Sequence, residues 1–81
     1  MAVETRTLLR QYRLELSPKV TQEKIAQQVG ISLQWYRQIE NSPDQPTSYT
    51  TARNILTAIN SERLARDLPA LSLDNLNLHI V

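Results

Sequence analysis

Gly30 is the only glycine in a chain of 81 residues, and that scarcity constrains the fold more than any other feature. Tight β-hairpins reach positive φ through glycine or through Asn-Gly and Asp-Gly pairs, and neither pair occurs here. A barrel or sandwich of short strands would lack its turns, so an all-α fold is expected. The length suits one small domain with a thin core, because a chain of this size buries only about 60% of its unfolded surface. With no cysteine, neither a disulfide nor a thiolate metal site can form, and His79 is the sole imidazole. No metal and no cofactor is therefore expected. No apolar run approaches the roughly 18 residues of a membrane span, and residues 1–6 lack the apolar core of a signal peptide. The expectation is a cytoplasmic protein with no membrane partner.

Hydrophobic periodicity places the helices. Leu8, Leu9, Tyr12 and Leu16 recur at helical spacing over residues 5–16, and Ser17-Pro18 ends that segment. Thr21 suits the N-cap of a second helix, Gln22–Val29, with Ile25, Ala26 and Val29 inward. Gly30 closes it as a residue with positive φ. Ser32 then caps a third helix, Leu33–Asn41, with Tyr36 and Ile39 inward. Residues 42–46 hold two prolines and form a loop. A fourth helix is expected over 48–60. Ser61-Glu62 resembles a fresh N-cap with an acidic first turn, so a fifth helix is expected over 61–68, closed by Pro69. Over residues 75–81, Leu76, Leu78 and Ile80 alternate with polar residues, which is a strand pattern. The division is a helical domain over 5–68 and a tail over 69–81.

The net charge of +1 hides an asymmetry. Residues 1–37 carry +3 and residues 38–81 carry −2. A mildly basic half suits a polyanion.

Residues 21–41 hold the informative pattern. Two short helices joined by Gly30-Ile31-Ser32 are too close to pack as an antiparallel hairpin. They must cross steeply, the helix-turn-helix geometry. Ala26 is small where the second helix passes near the third, Ile31 plugs the space beneath the turn, and the third helix projects outward. Its long polar side chains can reach base edges in a major groove.

Gln22-Glu23-Lys24-Ile25-Ala26-Gln27-Gln28-Val29-Gly30-Ile31-Ser32, followed by Tyr36, Ile39 and Glu40, resembles the helix-turn-helix of the phage repressor and Cro group, the XRE family. The resemblance covers residues 5–68 in element order. It implies a five-helix repressor-like domain that binds double-stranded DNA as a transcriptional regulator, commonly as a homodimer on a two-fold operator. It implies that Gln22 touches the phosphate backbone and braces the recognition helix. Leu33, Gln34 and Gln38 occupy base-facing positions, and Thr21, Arg37 and Asn41 occupy backbone-contact positions. Arg13 and Glu40 match a partly buried ion pair tying the first helix to the end of the third. Three positions depart from the pattern. The link from Leu16 to Val20 is long, Leu33 is apolar where a base would be met, and Ser42 stands where a glycine usually follows the recognition helix.

Each position also has a plainer reading. Gln34 and Gln38 suit a solvated helix face as well as base contact. Trp35 fits the core rim or a contact with the DNA backbone, and Lys19 could reach a phosphate from its loop. Arg6, Arg10 and Arg53 read as a solvated face. No carboxylate pair, Ser-His-Asp grouping or glycine-rich phosphate loop is present, so enzymatic activity is not expected. Two alternatives to a regulator are open. One is an antitoxin of the same fold that binds DNA and, through its tail, a toxin. The other is a protein-interaction module without DNA. A lone strand leaves its backbone unpaired. Residues 75–81 are therefore expected to pair with the same segment of a second copy, or to drape over their own domain.

Overall fold

Side-chain caps set where the helices begin. Thr21, Ser32 and Ser48 each accept a hydrogen bond from the third backbone N–H of the helix that follows: Lys24 at 3.1 Å, Trp35 at 3.0 Å and Thr51 at 3.1 Å. Each satisfies a donor that the first turn would leave orphaned. The computed structural model describes residues 8–42 and 44–81. Among the described residues five helices form: α1 Leu8–Leu14, α2 Gln22–Val29, α3 Leu33–Asn41, α4 Tyr49–Leu64 and α5 Leu73–Leu76. Residues 5–7 of the expected first helix, Arg6 among them, and Pro43 lie outside the described residues. No described helix is long and apolar enough to cross a membrane.

Gly30 ends α2 at φ 85° and ψ 30°. The Gly30 and Ile31 N–H groups converge on the Ala26 carbonyl at 2.9 and 3.1 Å, so both close the helix on one otherwise unpaired carbonyl. A β-carbon at Gly30 would meet nothing within 4 Å. The glycine is required for its left-handed conformation alone.

The core gathers Leu9, Leu16, Val20, Ile25, Ala26, Tyr36, Ile39, Ile55, Ala58, Ile59 and Leu76. α2 packs on α3 and α4, while α1 packs on α3 and α5. Each fully buried Leu or Ile contributes about 1.5–3 kcal/mol. The long link after α1 is part of this core, since Leu16 and Val20 are both buried.

Two expectations fail in the second half of the chain. The fourth helix does not stop at Asn60, and no separate helix spans 61–68; α4 runs unbroken from Tyr49 to Leu64. Ser61 lies inside α4, where its backbone carbonyl accepts from the Ala65 N–H at 3.2 Å. The inward stripe Ala52, Ile55, Ile59 continues with Glu62 and Arg63, both buried. A charged pair on the core side disguised the period. Arg63 donates to the Pro69 carbonyl at 2.8 Å, and its guanidinium lies 5.5 Å over the Tyr12 ring. Asp67 then adopts φ 60°, and the Leu68 N–H returns to the Arg63 carbonyl at 2.9 Å. Asp67 takes the left-handed role that Gly30 takes after α2.

The strand expected over 75–81 is the second correction. Leu73–Leu76 is helical, with the Ser72 N–H bonded to the Asn75 side chain at 2.8 Å. Leu76 is fully buried. Asn77, at φ 55°, turns the chain out of α5. What remains extended is a single parallel bridge between Thr47 and Ile80. The Thr47 N–H reaches the His79 carbonyl at 2.8 Å, and the Val81 N–H reaches the Thr47 carbonyl at 3.1 Å. The tail therefore finds a backbone partner within its own chain. Three alternating apolar residues are too few to distinguish a strand from a helical turn followed by an extended exit.

Glu62 fastens α4 to α2. It accepts from Gln28 at 3.0 Å and from Arg66 at 2.8 Å, with the Lys24 ammonium 3.4 Å away. The Gln28 and Arg66 hydrogen bonds hold its carboxyl below the ordinary value of 4.5, outweighing the opposing effect of burial. The unfolded chain then binds the proton more readily, so this contribution is present above pH 4.5 and is lost as pH falls through the lower folded value. We expect Glu62→Gln to cost about 1.5–3 kcal/mol near pH 7, the worth of charge-assisted hydrogen bonds. The difference from wild type should close in acid, as read by urea denaturation across pH 2–7. A gap that persists unchanged at pH 2 would show that the carboxylate charge is irrelevant.

Candidate nucleic-acid interface

α3 has two faces of opposite character. Tyr36, Ile39 and Glu40 are buried, whereas Gln34, Arg37, Gln38 and Asn41 are exposed. Positions 34, 37, 38 and 41 fall at i, i+3, i+4 and i+7, so the four form one stripe pointing away from the core. Leu33 is half-buried at the first position of α3. Trp35 is half-buried against the core, which places it at the core rim.

Beneath that stripe lies a buried charge. The Glu40 side chain is 0% exposed and that of Arg13 is 8% exposed. Arg13 Nε donates to Glu40 Oε2 and Nη2 to Oε1, each at 2.9 Å, a two-pronged pair. The third guanidinium nitrogen, Nη1, donates to the Val20 carbonyl at 3.0 Å. Hydrogen bonding to Glu40 raises the Arg13 pKa against the lowering effect of burial. Burial, reinforced by the Glu40 charge, raises that of Tyr36. One ion pair thus ties α1, the α1–α2 link and the end of α3 together. The length of the link does not displace Arg13, because Val20 supplies the carbonyl its guanidinium needs.

The network continues outward. Gln22 Nε2 donates to Glu40 Oε1 at 2.9 Å, and Arg37 Nε donates to Gln22 Oε1 at 3.2 Å. Gln22, at the first position of α2, is half-buried between a buried carboxylate and an exposed guanidinium. Sequence reasoning places Gln22 against α3 but does not find Arg37 as its partner. The signal available was the pairing of a neutral amide with two charged neighbours of opposite sign. Thr21 is exposed and occupied as the α2 cap. After α3, Ser42 adopts φ −128°, extended backbone open to any residue, so the glycine usual at that position is not required here.

Lys19 is exposed on the link, and Arg10 is half-buried on α1. Arg53 is held 5.7 Å over the Tyr49 ring, donating to its hydroxyl at 3.0 Å. A depression of about 250 Å³ between α2 and α4 is lined by Gln28, Asn54, Thr57, Ala58 and Ser61. It carries no charged side chain and shares no residue with α3. No protein-family model, no curated protein and no solved structure matches the chain.

Removing one partner of a buried pair leaves the other charge desolvated, which costs about 3–5 kcal/mol. We expect Glu40→Ala to lower folding stability by that amount, since it strands Arg13 and also Gln22. Chemical denaturation at neutral pH is the measurement. A loss below about 1 kcal/mol, the range of exposed pairs, would contradict the burial of this one.

Proposed function

We propose that the protein is a sequence-specific DNA-binding transcriptional regulator that lays α3, residues 33–41, in the major groove. The observation that carries the reading is the stripe of Gln34, Arg37, Gln38 and Asn41 on a helix whose opposite face is locked into the core. Such a helix presents long hydrogen-bonding side chains on a rigid support, as direct readout of base edges requires. A glutamine can pair two-pronged with adenine, which suits Gln34 and Gln38. Arg37 is the single cation on α3 and suits a phosphate. Thr21 and Gln22, beside the stripe, and Asn41, at its far end, suit positions where the sugar-phosphate backbone would run, and Leu33 suits a thymine methyl or a sugar. The turn geometry at Gly30 and the Arg13–Glu40 pair support the resemblance to the phage repressor and Cro group. A two-fold operator would be met by a homodimer with recognition helices about 34 Å apart.

Selection of sites from a random duplex pool tests the reading and returns any half-site and spacing together. On a selected site, Gln34→Ala should weaken binding by about 1–3 kcal/mol and relax preference at one base position. Equal weakening on every sequence would make Gln34 a backbone contact instead. Arg37→Ala should weaken binding to all sequences and reduce the salt slope, d log K against d log [salt], by about 0.9. An undiminished slope in a salt titration would remove Arg37 from the phosphates.

A further inference from the structure

We propose that Gln22 is the positioning residue for Arg37, transmitting the orientation of the buried Glu40 carboxylate to the exposed guanidinium. The inference rests on the DNA-binding reading above and assigns how its one α3 cation is aimed.

The chemistry of the two ends sets the direction of the Gln22 amide. Both Glu40 oxygens already accept from the Arg13 guanidinium, so Gln22 meets an acceptor there and its nitrogen must face inward. The oxygen is then forced outward. Arg37 has donors and no acceptor, so it can only meet that oxygen. A flipped amide would set oxygen against carboxylate and nitrogen against guanidinium, losing both bonds. The order Arg13–Glu40–Gln22–Arg37 is therefore self-consistent in one sense only.

The bond to Gln22 uses the Arg37 Nε–H. Nη1 and Nη2 make no hydrogen bond among the described residues and remain available as a fork for a phosphate oxygen. An unrestrained surface arginine samples many rotamers and loses them on binding. Here one exposed guanidinium is anchored through a carboxylate that is 0% exposed, so part of that loss is met on folding. Arg37 thus acts as a pre-aimed contact, and Gln22 contributes by holding it rather than by its own touch alone.

The test exploits the neutrality of Gln22. Wild type, Gln22→Met, Arg37→Met and the double variant are titrated with a mixed-sequence duplex of about 20 base pairs over a range of salt, with melting curves in parallel. Replacing a neutral residue releases no counterion by itself. A salt slope that falls in Gln22→Met by up to about 0.9 therefore reports the loss of the Arg37 phosphate contact. Gln22→Met should also weaken binding about threefold to tenfold, the range of one hydrogen bond. The loss in the double variant should fall short of the sum of the two single losses. Additive losses, or an unchanged slope in Gln22→Met, would overturn the proposal while leaving the DNA-binding reading intact. A wild type that fails to bind the duplex would overturn both. Should Gln22→Met fail to fold, the wild-type protein supplies the answer by NMR. Its Arg37 Nε–H should exchange with water more slowly than that of a free arginine, and equal rates would overturn the proposal.

Discussion

A carboxylate with no access to water sits under the exposed face of α3, and the arrangement of the first half of the molecule depends on it. Glu40 is tolerable there because Arg13 meets both of its oxygens and Gln22 meets one of them again. Those two partners come from α1 and α2, so the helix that carries Glu40 is fixed in rotation and in depth at once. Apolar packing of Tyr36 and Ile39 could be met by several small rotations of α3. The directional bonds of the buried pair select one. A buried pair adds little net stability against an apolar substitute; what this one supplies is orientation of the outer stripe.

The turn at Gly30 gives the complementary constraint. With α2 ended by two bonds to Ala26 and α3 begun by the Ser32 cap, three residues, Gly30, Ile31 and Ser32, connect the helices. The crossing is set by backbone geometry, and the ion pair then locks the far end of α3. Near end and far end are held by different physics, one conformational and one electrostatic. Of the outer stripe between them, only Arg37 makes a side-chain hydrogen bond among the described residues.

The first half of the molecule was legible in the sequence because its signals are local. Thr21, Gly30 and Ser32 mark helix ends by side-chain chemistry that acts within three residues, and the structure has α2 and α3 at the bounds those residues imply. The start of α4 at Ser48 and its buried Ala52, Ile55 and Ile59 were legible too; its end and the tail were not. Ser61-Glu62 carries the local signature of a helix start, but Glu62 is committed to Gln28 and Arg66, and Arg63 to Pro69 and Tyr12. Those long-range and backbone partners override the local preference. The alternation over 76–80 misled for a related reason, since Leu76 earns its place by filling space between α1 and α4 rather than by strand pairing. At the candidate site periodicity marked Tyr36 and Ile39 as inward, and the outer positions Gln34, Arg37, Gln38 and Asn41 came with the resemblance to the phage repressor and Cro group. The bond between Gln22 and Arg37 did not, because it depends on which way an amide faces, and only Glu40 decides that.

The bridge between Thr47 and the tail is made by backbone atoms on both sides. Its strength is therefore nearly indifferent to the side chains at 79, 80 and 81, provided none is proline where an N–H is required. Ile80 and Val81 are 37% and 73% exposed, so their side chains are not committed to the core. Related chains could vary the chemistry of this corner, from greasy to charged, without disturbing the loop that leads from α3 into α4. The same domain could thereby acquire new neighbours at its tail while α3 stays as it is.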